Sequence, residues 1–143
     1  MNYDKLEDIH LRDIPKIVHP RGKGNLSVIE KDLIPFDIKR VYYLYDVPSD
    51  STRGGHAHIE LQQFLIPLSG SFDVVLDDGK NRRVITLNRP FKGLLIPCGI
   101  WRELENFSAG AVCLSLVSDV YKEEDYIRDY EEFKLFKSRK SNP

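Results

Sequence analysis

Between Ile14 and Val117 the chain alternates short apolar, β-branched and aromatic runs with Gly, Pro, Asn and Asp, and this pattern constrains the fold more than any other feature. Such punctuation is the signature of an all-β protein. Candidate strands are Pro15 to Val18, Asn25 to Glu30, Ile38 to Asp46, Gly55 to His58, Gln62 to Leu68, Gly70 to Leu76, Arg82 to Leu87, Gly93 to Ile96, Trp101 to Glu105 and Ala111 to Leu116. Short strands in this number predict a sandwich or barrel. Asp77-Asp78-Gly79-Lys80, between Val74-Val75-Leu76 and Val84-Ile85-Thr86-Leu87, predicts a hairpin, because Asp and Gly tolerate the positive φ of such turns.

After Ser118 the pattern changes. Tyr121, Asp125, Tyr126, Asp129, Phe133 and Phe136 recur at three- and four-residue intervals, which predicts a helix or helical turns from Glu123 to about Lys137, with Ser138 to Pro143 as a frayed tail. At 143 residues the chain suits one domain, with its core over about 14–118. Its 21 basic residues nearly balance 22 acidic ones, so nothing at whole-chain level points to nucleic acid or an anionic membrane surface. Met1 to Asp13 is charged throughout and lacks the apolar centre of a signal peptide, so a cytoplasmic location is the default. Cys98 and Cys113 have no C-x-x-C spacing and read as buried free thiols.

Chemistry concentrates in two segments, Arg53-Gly54-Gly55-His56-Ala57-His58 through Gln63, and Pro97-Cys98-Gly99-Ile100-Trp101-Arg102. On a strand, His56 and His58 share a face, which is how a small barrel presents two imidazoles to its interior. The spacing resembles that of a cupin metal site, with Gln63 where a Glu ligand is expected and Arg102 where a last His is expected. Gln is a poor ligand and a guanidinium has no acceptor, so the pocket repels a divalent ion and favours an anion. No metal and no cofactor are therefore expected. In Val41-Tyr42-Tyr43-Leu44-Tyr45, strand alternation puts Tyr42 and Tyr43 on opposite faces. Arg21-Gly22-Lys23-Gly24 and Lys39-Arg40 are basic segments suited to phosphate oxygens, or to plain solvated turns.

Taken in order along the chain, Arg21-Gly22, Ile38-Lys39-Arg40-Val41-Tyr42-Tyr43, Arg53-Gly54-Gly55-His56-Ala57-His58, Leu61-Gln62-Gln63, Leu76-Asp77-Asp78-Gly79, Trp101-Arg102-Glu103 and Asp125-Tyr126-Ile127-Arg128-Asp129-Tyr130 resemble the nucleotide-sugar 3,4-ketoisomerases, metal-free cupins acting on dTDP-4-keto-6-deoxy-D-glucose. That resemblance implies a cupin jelly-roll barrel with a short C-terminal helical segment and a homodimer with exchanged N-terminal strands. It also implies a dTDP-3-keto-6-deoxyhexose product on the route to amino sugars of surface polysaccharides. The early basic loop is longer here than the Arg-Gly-x-Leu spacing of the family.

Moving a ketone from C4 to C3 needs one base that takes a proton from C3 and returns one to C4 through an enediol. An imidazole of ordinary pKa meets that need unaided. The expected assignment makes His56 the proton shuttle, His58 an orienting or assisting group and Tyr42 the phenol near the sugar oxygens. Gln63 and Arg102 would stabilise enediolate charge, and Arg21, Arg40, Tyr43 and Arg53 are candidates for holding the substrate. Three alternatives stand beside it: a 3,5-epimerase, which pairs a His base with a carboxylate and for which Glu60 faces the wrong way; a metal-dependent cupin; and a non-catalytic sugar-nucleotide-binding cupin.

Overall fold

The computed structural model describes residues 5–141. Its strands are β1 (Leu11–Asp13), β2 (Lys16–Val18), β3 (Asn25–Ser27), β4 (Arg40–Leu44), β5 (Arg53–His58), β6 (Gln63–Ser69), β7 (Phe72–Asp77), β8 (Arg82–Leu87), β9 (Lys92–Ile96), β10 (Trp101–Glu105), β11 (Val112–Val117) and β12 (Tyr126–Ile127), followed by the helix α1 (Tyr130–Ser141). Two antiparallel five-stranded sheets form, in the orders β1-β9-β6-β11-β4 and β12-β5-β10-β7-β8. Their inner faces meet in one apolar cluster, in which Leu65, Leu94, Ile96 and Cys113 of the first sheet touch Phe72, Val74, Leu76, Leu87 and Leu104 of the second. This is the sandwich of a jelly roll.

The turn chemistry explains the β7–β8 hairpin. The Asp78 carboxylate accepts hydrogen bonds from the backbone N–H of Lys80 and Asn81, at 2.9 and 2.7 Å, and Gly79 takes φ +95°. One close approach depends on a missing side chain: a Cβ on Gly93 would lie 2.1 Å from the Phe64 ring, so only glycine lets β9 lie against that residue.

Two elements differ from the sequence expectation. Leu11–Asp13 forms a strand that pairs with β9, in a segment whose pattern suggested none. The predicted continuous helical segment is broken: Glu123–Asp125 is a single 3₁₀ turn, Tyr126–Ile127 is a strand on the edge of β5, and the helix begins only at Tyr130. The reason is tertiary. Ile127 packs with Ala57, Trp101 and Phe133 on the outer face of the sheet, while its neighbour Tyr126 turns inward onto the histidine rings. A strand offers those opposite directions to adjacent residues, and a helix does not. The helix also continues to Ser141, into the predicted frayed tail, whose last residues Asn142 and Pro143 lie outside the described residues.

A third, two-stranded sheet of β2 and β3 stands apart from the core, and all its residues are exposed. No helix among the described residues is long and apolar enough to cross a membrane.

Candidate active site

Strand β5 presents its histidines as the period of two requires. His56 and His58 face the interior with ring centroids 4.8 Å apart, while Ala57 between them faces out. On the neighbouring strand β10, Arg102 is the register partner of His56 and faces the same way, with Trp101 turned outward under α1. At Gly54, φ is +90° and a Cβ would meet the Arg102 carbonyl at 3.0 Å. Glycine here lets the two strands approach.

A cavity of about 480 Å³ opens on this face, bordered by Arg40, Tyr42, Leu44, Thr52, Arg53, Gly54, His56, Gln63, Arg102, Leu104, Tyr126 and Arg128. A larger groove of about 830 Å³ runs between the β7–β8 hairpin and α1, but it contains no imidazole and lies away from this chemistry.

The floor of the cavity is a directed chain of hydrogen bonds. Arg102, 2% exposed, donates from Nη1 to Gln63 Oε1 at 2.7 Å and from Nε and Nη2 to the Ile100 carbonyl at 3.2 and 2.9 Å. Gln63 in turn donates from Nε2 to Tyr42 Oη and to Ser115 Oγ, each at 2.6 Å. The Tyr42 oxygen is thus an acceptor toward Gln63, and its own proton remains free to be donated elsewhere.

Both imidazoles are neutral. Burial, reinforced by the Arg102 charge, lowers His56 to about 3, although a hydrogen bond with the Gly54 backbone opposes the shift. Burial and Arg102 likewise lower His58 to about 2. They outweigh the Asp125 carboxylate, whose Oδ2 lies 3.0 Å from His58 Nδ1 and favours the protonated ring. The expected near-neutral pKa of the base is therefore corrected downward: in the folded site, desolvation penalises the imidazolium. Arg102 is lowered by burial to about 10 and stays charged at neutral pH.

This donor set does not fit a divalent metal ion. Its two imidazoles face a buried cation, and among the described residues no cluster of three or more His, Cys, Asp or Glu side chains could hold a metal. The cations suit an anion instead. Arg40 and Arg53 border the cavity with Arg102, and Arg128 is held over the Tyr126 ring by a two-pronged ion pair with Glu123, at 2.7 and 2.9 Å.

Of the residues expected in the site, His56, Tyr42, Arg40, Arg53, Gln63 and Arg102 border the cavity. His58 does not: it is 2% exposed and lies behind His56. Two expected residues lie away from the cavity. Arg21 sits exposed in the turn between β2 and β3, and Tyr43, 60% exposed, lies on the outer face of β4. Sequence reasoning missed the roles of Asp125, Tyr126 and Arg128. Their spacing matched a helix, and a two-residue strand is too short to show a period of its own.

The family model described as FdtA, WxcM-like, C-terminal, matches residues 7–138. The chain belongs to this family. It is 45% identical over 121 residues to the TDP-4-oxo-6-deoxy-α-D-glucose 3,4-oxoisomerase of Aneurinibacillus thermoaerophilus, covering 85% of this chain and 86% of that protein. Among solved structures, a 3,4-ketoisomerase from Helicobacter canadensis is 47% identical and superposes with a TM-score of 0.87 over 92% of this chain and 98% of its own. The sugar 3,4-ketoisomerase QdtA from Thermoanaerobacterium thermosaccharolyticum, in complex with TDP, is 40% identical, with a TM-score of 0.90 over 95% and 98% of the two chains. A variant of that enzyme with one histidine replaced by asparagine was solved with TDP-4-keto-6-deoxyglucose bound.

Proposed function

We propose that this chain is a 3,4-ketoisomerase that converts dTDP-4-keto-6-deoxy-D-glucose to a dTDP-3-keto-6-deoxyhexose. The observation that carries the reading is a neutral imidazole, His56, exposed to a cavity bordered by four guanidinium groups, in a chain belonging to this family. His56 takes the C3 proton, and the electron pair moves onto the C4 carbonyl to give an enediolate. Arg102, already charged and desolvated, stabilises the negative oxygen without reorganisation. His56 then returns the proton to C4 as the O3–H bond breaks and the ketone forms at C3, and the proton released from O3 passes by way of Tyr42 to the O4 oxyanion, which becomes the C4 hydroxyl. Tyr42, its oxygen held by Gln63, is the group that exchanges protons with the sugar oxygens. The diphosphate brings negative charge toward Arg40 and Arg53, and an anion near His56 raises the imidazole from its low value toward the range useful for proton transfer.

One observation favours a second reading. A 3,5-epimerase pairs a histidine with a carboxylate, and Asp125 supplies to His58 the partner that Glu60 does not. Identities of 40–47% to ketoisomerases outweigh it. NMR of the product made from dTDP-4-keto-6-deoxyglucose tests the choice: a ketone at C3 supports the proposal. A retained C4 ketone with inverted C3 or C5 identifies an epimerase, and binding without turnover identifies a non-catalytic sugar-nucleotide binder.

The described chain serves here as one cupin domain, and we read it as the cytoplasmic homodimer with exchanged N-terminal strands implied by its family. In support, the β2–β3 ribbon lacks a core of its own and exposes Ile17, Val18 and Leu26, while β4 exposes Val41 and Tyr43. Isolated two-stranded ribbons are marginal in water. We assign Arg21, in the turn of that ribbon, and Tyr43, on the outer face of β4, to that interface. Light scattering on a sizing column should give twice the chain mass, and a monomer at micromolar concentration would contradict it.

A further inference from the structure

The Asp125 carboxylate, 15% exposed, is engaged through both of its oxygens. Its Oδ1 accepts the backbone N–H of Glu60 at 2.8 Å, and its Oδ2 faces both the backbone N–H of Leu61, at 3.3 Å, and Nδ1 of His58, at 3.0 Å. Its backbone carbonyl accepts the N–H of Ile59 at 3.0 Å. The residue therefore clamps the whole turn after β5 while touching the imidazole that strand ends on. It is held there by the C-terminal segment: Tyr126 and Ile127 pair with His58 and Ala57, Phe133 buries itself against Trp101, and the Tyr130 hydroxyl donates to Asp77 at 2.9 Å.

We propose that Asp125 is a positioning residue for proton transfer: by accepting the Nδ1–H of His58 it holds that ring as a single neutral tautomer, with Nε2 as its only basic nitrogen. A carboxylate is an acceptor only, so the proton of a neutral ring beside it must sit on Nδ1. His58 packs edge-on to His56, at 4.8 Å between centroids, and to Tyr126 at 4.4 Å, so its orientation and polarity set the wall against which the proton-shuttling ring rests. The arrangement separates the two imidazoles by role. His56 meets the cavity, and His58 transmits the position of the C-terminal segment to it.

The same geometry states what Asp125→Asn does. The amide has one acceptor oxygen, and the Glu60 N–H claims it at the shortest of the three contacts. Its NH₂ group then faces His58 Nδ1 and donates to it, which forces the proton to Nε2. The substitution is nearly isosteric and inverts the tautomer.

Nitrogen-15 NMR of the substrate-free protein with labelled histidine reads this directly, and it is independent of the ketoisomerase reading on which the turnover arm rests. The wild type should show His58 with its proton on Nδ1, and Asp125→Asn should show it on Nε2. In turnover of dTDP-4-keto-6-deoxyglucose, Asp125→Asn should lower kcat about tenfold, less than the roughly 100- to 10,000-fold that a group transferring the proton itself supplies. KM and dTDP affinity should stay within about threefold, and Asp125→Glu should recover part of kcat by restoring a pure acceptor. A wild-type His58 protonated on Nε2, or an Asp125→Asn protein with wild-type kcat, overturns the proposal. If the variant fails to fold, the wild-type spectrum still decides.

Discussion

Arg102 and Gln63 form a buried pair, 2% and 4% exposed, joined by a hydrogen bond of 2.7 Å from guanidinium to amide oxygen. Because that cation stands among the imidazoles, a divalent ion gains two neutral ligands and loses to electrostatic repulsion. Exhaustive chelation should leave turnover unchanged. Stoichiometric metal, with activity lost on its removal, would refute this.

Arg102→Ala should cost stability as well as catalysis. It strands the Gln63 oxygen and the Ile100 carbonyl in the interior, each worth about 1–3 kcal/mol when left unpaired. A drop of several degrees in the melting temperature is expected, since 1 kcal/mol shifts a domain of this size by roughly 2–8 °C. An unchanged melting curve would show that water replaces the guanidinium without penalty.

His56→Asn should retain fold and dTDP affinity while kcat falls on the order of 100- to 10,000-fold. The accompanying label experiment uses deuterium or tritium at C3 of the substrate. That label should be lost to water or found at C4, and its retention at C3 in isomerised product would exclude proton transfer through an enediol.

Acid should destabilise the protein early. His58 has a folded pKa of about 2 against an unfolded value of 6.5, so the folded state binds fewer protons between those limits. Stability is full above pH 6.5 and declines as pH falls, by about 1.4 kcal/mol per unit from this one residue. Denaturation by urea at pH 7 and pH 5 should show that loss, and it should shrink in His58→Gln. The acid limb of kcat/KM, which reports the free enzyme, should lie below the ordinary imidazole range, because His56 is lowered to about 3.

Phe133→Ala should damage a site that Phe133 never touches. The side chain is fully buried against Trp101, and its loss should cost about 3–5 kcal/mol. With α1 loosened, β12 loses the anchor that holds Tyr126 and Arg128 at the cavity and Asp125 against His58. Turnover should fall with the protein still folded, and full activity at a lowered melting temperature would show that β12 holds its place alone.

Much of the site was legible in the chain because β-structure writes its facing into a period of two. His56 and His58 share a face, Tyr42 and Tyr43 oppose each other, and Gln63 and Arg102 occupy the ligand positions of a cupin, all from spacing alone. The hairpin at Asp78-Gly79 was equally local, since its hydrogen bonds close within the turn. Tertiary structure decided whatever depends on a distant partner. The edge strand Tyr126–Ile127 exists because β5 offers it a ladder and Trp101 offers Phe133 a surface, and no pattern in a two-residue segment encodes either. Solvent exclusion decided the state of the histidines: composition supplies an imidazole of ordinary basicity, but only burial beside Arg102 keeps both rings neutral.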